Sequence, residues 1–562
     1  MRSASTPQPA NAPGLQGNTR YASLYAQELT NLNLEVRRIL TRQSRELKPA
    51  RNVEIAGPKA HQEKGTVEDQ VASGLNILII DLNNFASFPT LAIGLLTASL
   101  RDKGHGVEVL CPLAFDAPAT MRERREWIGD HILRRIHLTD WTPALAMRDL
   151  ARRLRERHIE RPHSTVLREA KRALDRKPDA VLLSAYLQHR ATVREIGRMA
   201  GARGVPVILG GPMFNLPDVA SAWKDLPGLS AIVGSEVDRD LPEIVKALHK
   251  GHDLLQFKGV TLPDGQASAP AAPLLQLDRS PVPDFTDFPW DRYPVRIVPV
   301  MTGRGCQWDK CLFCSDVISA SGRTFRTRSV ENVLLELEEQ ARRHDTTNFL
   351  FLDLKLNSWP EMLRGIGRNI GRYVRGAEWI GTVHVDQRPD NGLSRADLEV
   401  AAEGGMRRIS FGLESGSQRL LDAMHKGSSV EGNSRFIRDA HAAGLSVRCT
   451  MFKGFPGETA ADMEATADFL EAHAEFLGRV HFNDFTLHTG TPIWKAMQDK
   501  ASDDPLPLEI REDRNARARS EYRYRSPPDR VYRRAKARAL AVVHQINRQP
   551  LSDAARQFDG LM

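Results

Sequence analysis

The chain has 562 residues, with 78 Lys and Arg against 70 Asp and Glu, a formal charge of +8, and ordinary hydrophobic (41%) and charged (26%) fractions. That length allows two to four domains with real cores, and the composition excludes disordered and collagen-like classes. No run of about eighteen apolar residues offers a membrane span. The polar start MRSASTPQPANAPGLQGNTRY lacks the apolar stretch of a secretory signal, so the expected place is the cytoplasm.

Residues 1–72 open with a Pro-, Ser- and Asn-rich stretch and continue in the polar helical pattern YASLYAQELTNLNLEVRRILTRQSREL. This predicts a flexible arm with one or two peripheral helices. From Leu75 the pattern changes: LNILIIDL is an apolar run ending in Asp81, which predicts a buried parallel strand. PTLAIGLLTASLRDKGHG has helical periodicity and a glycine stop, and GVEVLCP predicts the next strand. An Arg- and Glu-rich helical stretch over about 116–176 reads as an insertion. The alternation resumes with DAVLLSAY, a helix over 191–203, VPVILGG, a helix near 217–225, LSAIVGSE and a helix over 239–250. Strands alternating with helices predict an α/β domain over 73–250, a doubly wound, flavodoxin-like (Rossmann) parallel sheet.

Residues 251–294 are proline-rich and linker-like, with a small hairpin at their start. A second alternating series begins at VRIVPVMTGRGC, with strands expected over 295–302, 348–353, 379–385, 407–412, 445–452 and 479–486. Six βα units within 295–498 predict a partial (β/α)6 barrel, because a closed eight-stranded barrel typically takes about 250 residues. Residues 499–562 read as a helical, basic C-terminal region.

Cysteine is scarce, five in all, which excludes a secreted disulfide scaffold. Three of the five fall together in Gly305-Cys306-Gln-Trp-Asp-Lys-Cys311-Leu-Phe-Cys314. Three thiolates on one loop suit three irons of a [4Fe–4S] cubane and leave the fourth iron open to a substrate or cosubstrate. The spacing also admits a structural zinc completed by a distant His. The loop follows the first strand of a βα series, where such folds place chemistry, and this favours the cluster.

At this loop the chain resembles the radical S-adenosylmethionine (radical SAM) superfamily, with four residues rather than the usual three between the first two cysteines. The resemblance implies that Phe313 lies against the adenine of SAM. A second match, RRISFGLESGSQRLLDAMHKGSS over 407–429, resembles the family's fourth-strand segment. It implies Glu414 on the ribose hydroxyls, with Ser415 and Ser417 near the amino-acid end. FLFLDLKLNSWPEM lacks the Gly-Gly-Glu of many relatives and offers Asp353, Lys355 and Asn357, with Asp353 implied for the SAM ammonium. VHVDQRPD puts His384 or Asp386 at the third strand's end. MFKGFPGET resembles the fifth-strand turn, where Gly454 and Pro456 would let backbone approach SAM. Arg448 is a candidate for the SAM carboxylate, and Phe485 with TGTPIW fits the sixth strand and its exit.

The first domain resembles the cobalamin-binding domain that precedes many radical SAM domains. Its candidate contacts are Pro89, Ser184, Gly210, Gly211 and Gly234, at turns where a large ligand would meet backbone. The loop after Asp81 has no His, so a bound cobalamin would have no histidine ligand from it, and His189 reads as a surface or loop residue. The resemblance implies reductive cleavage of SAM to a 5′-deoxyadenosyl radical and methyl transfer from cobalamin to an unactivated carbon of an unidentified small-molecule or peptide substrate, with natural products and lipids among the candidates. An electron donor such as flavodoxin or ferredoxin is the expected partner. A cobalamin enzyme that cyclises or rearranges without net methylation is the alternative within enzymes. Methylthiotransferases need a second cysteine cluster, and only Cys111 and Cys449 remain. Outside enzymes, the tail RARSEYRYRSPPDRVYRRAKARAL suggests a metal-bearing nucleic-acid binder or scaffold, although no recognised RNA-binding motif accompanies it.

Overall fold

The computed structural model describes residues 74–82, 87–115, 124–185, 187–234, 236–315, 325–498, 508–525, 528–550, 552–558 and 561. The expected N-terminal arm and helices lie outside the described residues, as do the start of the insertion (116–123) and the loop 83–86.

The first sheet contains β1 (Asn76–Leu82), β2 (Gly106–Leu110), β3 (Ala180–Ala185), β4 (Val207–Gly210), β5 (Leu229–Val233) and β6 (Val260–Thr261) in the order β2-β1-β3-β4-β5-β6. All pairings are parallel except β5–β6. Its central strand β1 is apolar on both faces and buried from Ile77 to Leu82, because crossover helices cover a parallel sheet on both sides. The chain order reverses between β1 and β3, the switch point where doubly wound sheets bind ligands.

The crossovers are α1 (Leu91–Asp102), the insertion helices α2 (Ile128–His137), α3 (Thr142–Ile159) and α4 (Ser164–Leu174), then α5 (Arg190–Gly201), α6 (Pro217–Trp223) and α7 (Leu241–His249). The hairpin expected at the start of the linker is present in part: β6 pairs with β5 and bridges to Ala267.

The second sheet holds β7 (Val298–Val300), with a small hairpin of β8 (Gly303–Arg304) and β9 (Arg326–Thr327) beside it, then β10 (Asn348–Phe351), β11 (Glu378–Val383), β12 (Met406–Glu414), β13 (Ser446–Lys453) and β14 (Leu477–Asp484). The six barrel strands β7, β10, β11, β12, β13 and β14 lie side by side in chain order, and all are parallel. This is the partial six-stranded barrel expected from the pattern. Its helices are α8 (Val330–His344), α9 (Pro360–Tyr373), α10 (Arg395–Glu403), α11 (Gln418–Ala423), α12 (Val430–Ala442) and α13 (Ala460–Ala472). Ser329, Ser394, Ser417, Ser429 and Thr459 cap five of them by accepting a backbone N–H, which satisfies donors a helix cannot satisfy itself.

The C-terminal region corrects the expectation of an all-helical tail. After β15 (Leu487–His488) and α14 (Pro492–Gln498), the chain forms β16 (Leu508–Arg514) and β17 (Arg519–Tyr524), an antiparallel hairpin that joins β15 in a three-stranded sheet. Only then comes α15 (Arg530–Asn547). The hairpin's inward residues, Leu508, Ile510, Tyr522 and Tyr524, are separated by charged ones on both faces, so no clean alternation marks it in sequence. Arg514, Arg517 and Arg519 of the hairpin pair with Glu156, and Arg538 of α15 pairs with Glu464, Asp468 and Glu471. Phe558 and Leu561 close one end of the barrel, packing against Ile297, Leu350 and Ile380 near the strands' N-terminal ends.

Candidate functional site

The three cysteines occupy a loop at the C-terminal ends of the barrel strands, each half-buried. The loop is docked on the segment that follows α11. Trp308 Nε1 donates to the His425 carbonyl (2.9 Å), Leu312 N–H donates to the Met424 carbonyl (3.0 Å), and the Leu312 carbonyl accepts from Ile493 N–H (3.0 Å). Gly427, in the left-handed region at φ +67°, lies under the Trp308 ring; a Cβ there would meet the indole at 2.0 Å. Two buried lysines face the loop. Lys426 feels Cys311, Cys314 and Glu414, whose charges outweigh burial and raise its pKa. Lys355 is lowered by burial, against Asp386 and Cys306. Each ammonium is paired with a carboxylate, Lys426 with Glu414 and Lys355 with Asp386, beside the cysteine loop. Among the described residues no three His, Cys, Asp or Glu side chains converge as one metal ion requires. A cubane instead takes one thiolate on each of three irons, so its ligands need not meet at a point.

Glu414 ends β12 at φ +59° and accepts from Lys426 Nζ at 2.9 Å, both side chains about 9% exposed. The carboxylate expected on the ribose is therefore at the site and paired with a lysine twelve residues on. Phe313 packs edge-on against Phe452 (5.1 Å), with the Lys426 ammonium 5.8 Å from its ring. His384 is buried between Trp308 and Ser428, its Nε2 3.3 Å from the serine hydroxyl. Burial, with Lys426 and Lys355 nearby, holds it well below its usual pKa, so the imidazole is neutral.

Several residues implied as SAM contacts have partners within the protein. Asp353, expected on the SAM ammonium, is fully buried, accepting from Thr302 Oγ1 (2.7 Å), Thr302 N–H (3.0 Å) and Gly303 N–H (2.8 Å). Its carboxylate ties β10 to the strand that leads into the cysteine loop. Ser415 bonds Thr466 (3.1 Å), and Ser417 donates to Asp462 (2.6 Å) while capping α11; both hydroxyls serve the turn. Arg448 points inside the barrel to the Leu561 carbonyl (3.3 Å), away from the cysteine loop. Gly454, at φ +85°, makes room for Tyr524: its carbonyl accepts from the phenol, and a Cβ would meet that oxygen at 2.4 Å. Lys355 and Asp386 form a fully buried ion pair, and Asn357 bonds the backbone of His384 and Asn391. These three knit strand ends together.

In the first domain, β-sheet register sets Asp81 beside Ser184, and Ser184 beside Gly210, at the C-terminal edge. Pro89 is buried just before α1, and Gly211 follows Gly210 into the next turn. At Gly234 a Cβ would meet the Phe214 and Asn215 backbone at 2.4–2.5 Å, so its small size serves loop packing. His189 is buried, not superficial, and burial lowers it to about 4. Arg304, two residues before Cys306, pairs with Asp238 and with Glu236 (3.4 Å), just after β5; Arg326 also pairs with Glu236 (2.6 Å). The cysteine loop is thereby held against the C-terminal edge of the first sheet. Lys426, Trp308 and Arg304 carry this arrangement, and sequence reasoning missed all three. Lys426 stood inside a quoted motif, but only the fold brings it to Glu414.

Residues 300–470 match the family model "Radical SAM superfamily". An uncharacterized methyltransferase of Pyrococcus horikoshii is 28% identical over 328 residues, 57% of this chain and 69% of the relative. The structure of the radical SAM methyltransferase TsrM from Kitasatospora setae, with cobalamin and a [4Fe–4S] cluster bound, aligns with TM-score 0.55 at 17% identity over 79% of this chain and 84% of its own. The cobalamin-dependent radical SAM enzyme OxsB aligns with TM-score 0.58 at 15% identity over 80% of this chain and 64% of its own. Residues 300–470 thus form a radical SAM domain, and the chain as a whole has the fold of the cobalamin-dependent radical SAM enzymes TsrM and OxsB.

Proposed function

We propose that this enzyme is a cobalamin-dependent radical SAM methyltransferase acting on an unactivated carbon of a small-molecule or peptide substrate, with flavodoxin or ferredoxin as electron donor. The observation that carries the reading is the join between the two sheets: Arg304 and Arg326 on Glu236 and Asp238 hold the cysteine loop to the edge bearing Asp81, Ser184 and Gly210. Cys306, Cys311 and Cys314 would hold the cluster, beside the buried pairs Lys426–Glu414 and Lys355–Asp386. The edge at Ser184, Gly210 and Gly211 would hold cobalamin. When bound, the cluster supplies the electron that cleaves SAM, and cobalamin supplies a methyl group to the substrate carbon. Phe313 offers the adenine an aromatic face, and Glu414 offers the ribose a carboxylate oriented by Lys426. The neutral His384 and the apolar residues Phe452 and Phe485 exclude water around the reacting groups.

The test uses protein purified anaerobically with cobalamin supplied. It should retain a corrinoid and, with reductant and SAM, release S-adenosylhomocysteine only when cobalamin is present. Cys306→Ala, Cys311→Ala and Cys314→Ala should each abolish 5′-deoxyadenosine formation; Cys111→Ala and Cys449→Ala should not. Formation of 5′-deoxyadenosine without any cobalamin-dependent S-adenosylhomocysteine would refute methyl transfer and leave rearrangement.

A further inference from the structure

Helices α2 and α3 are built inside out. Several of their polar residues face the protein: Glu126 beside α2 pairs with Arg134 and bonds Asn547, Arg152 pairs with Asp484, and Glu156 and Glu160 pair with Arg514 and Arg517. Their apolar residues face outward. Ile128, Ile132 and Ile136 on α2, and Met147, Leu150 and Leu154 on α3, are all more than half exposed. Helical spacing puts each trio on one stripe, with Arg153 and Arg157 along one border of the α3 stripe and Arg155 along the other. Trp127 and Trp141, each 58% exposed, stand immediately before the two helices. A soluble surface rarely leaves an apolar stripe exposed on each of two successive helices.

The charge around these stripes narrows what covers them. Residues 124–161 hold ten Arg against six Asp and Glu. The acids are largely spent: Glu126, Asp130, Asp149, Glu156 and Glu160 pair with arginines, and Asp140 pairs with Lys453 and Lys536. Among the described residues Arg135, Arg153, Arg155, Arg157 and Arg161 make no ion pair. The face is therefore apolar, rimmed by unpaired cations and flanked by indoles. A second copy would bring the same arginines against these, and like charges repel. A surface with an apolar interior, an anionic layer above it and an interface that takes up indole satisfies all three features.

We propose that α2 and α3 dock the enzyme on an anionic lipid surface, lying in the headgroup region with their apolar stripes inserted and their free arginines on lipid phosphates. This is peripheral attachment; among the described residues no helix is long and apolar enough to cross a membrane. A cavity of about 760 Å³ opens beside the same helices, lined by Leu133 and Ile159 as well as Phe482 and Asp484 of β14. The docked face thus borders a recess that reaches the last barrel strand.

The test is sedimentation of the full cluster-loaded chain with vesicles of phosphatidylglycerol or of phosphatidylcholine. The protein should sediment with the anionic vesicles alone and be released by high salt, as screening requires. Arg153→Ala with Arg157→Ala should weaken partition by about 30-fold. Leu150→Ser with Leu154→Ser should abolish it while SAM cleavage stays unchanged, which separates loss of docking from loss of fold. Protein that remains in solution with both vesicle types overturns the proposal. So does a stable dimer, seen by sedimentation equilibrium, that the Leu150→Ser, Leu154→Ser variant dissolves; that outcome assigns the face to a second copy.

Discussion

At the scale of single residues, the site rests on buried charges that hold one another. Glu414 and Lys426 are nearly removed from solvent and paired at 2.9 Å. Removing one partner of such a pair strands the other charge, which costs about 3–5 kcal/mol, whereas replacing both is far milder. Lys426→Met should therefore lower the unfolding free energy by that amount, and Glu414→Gln with Lys426→Met should recover most of it, as measured by urea denaturation. Asp353 obeys a different balance. Burial, against donors from Thr302 and Gly303, pushes its carboxyl from the usual 3.8 up to about 6. The folded value lies above the unfolded one, so the unfolded chain releases this proton first. The group's contribution is complete below about pH 4 and is lost as pH rises through about 6, a change of about 3 kcal/mol. Asp353→Asn does not titrate. The stability of the natural chain relative to this variant should fall by that amount between pH 4 and pH 7. A difference that stays flat with pH would show an ordinary carboxylate.

At the scale of elements, the cysteine loop has little regular structure and takes its shape from what it docks on. Gly427 is the tightest point of that contact. Gly444 provides the comparison: it has φ +84°, yet nothing lies within 4 Å of its Cβ position. Gly444→Ala should cost only backbone strain, about 1 kcal/mol. Gly427→Ala should cost at least about 2 kcal/mol, because the Trp308 ring must also move. It should also lower the iron bound per chain after anaerobic reconstitution, while Gly444→Ala leaves iron content intact. Equal iron in the two variants would show that the Trp308 contact does not shape the loop. The strands and helices around this loop were legible in sequence because their apolar periods are long and regular. The β16–β17 hairpin was not, because charged residues on both faces conceal its period and only packing on Phe485 and α14 selects the inward set.

At the scale of the whole molecule, two parallel sheets present their C-terminal edges to one loop, and the ion pairs at Arg304 and Arg326 keep them together. The insertion turns outward what most helices turn inward, so that the catalytic body and its proposed lipid contact are separate surfaces of one chain. Sequence alone determined the α/β class, the succession of strands and helices along both domains, the cysteine trio and the position of Glu414 at the end of a strand. These are local properties: hydrophobic period follows from backbone geometry, and ligand spacing within a loop needs no distant partner. Only the tertiary structure decided which polar side chains remain available at the site. Asp353, Ser415, Ser417 and Arg448, implied as cofactor contacts by linear motifs, each also meet a buried donor or acceptor supplied by a distant segment. A buried polar group must be paired, and its partner is chosen by the fold, from residues that no reading along the chain brings together.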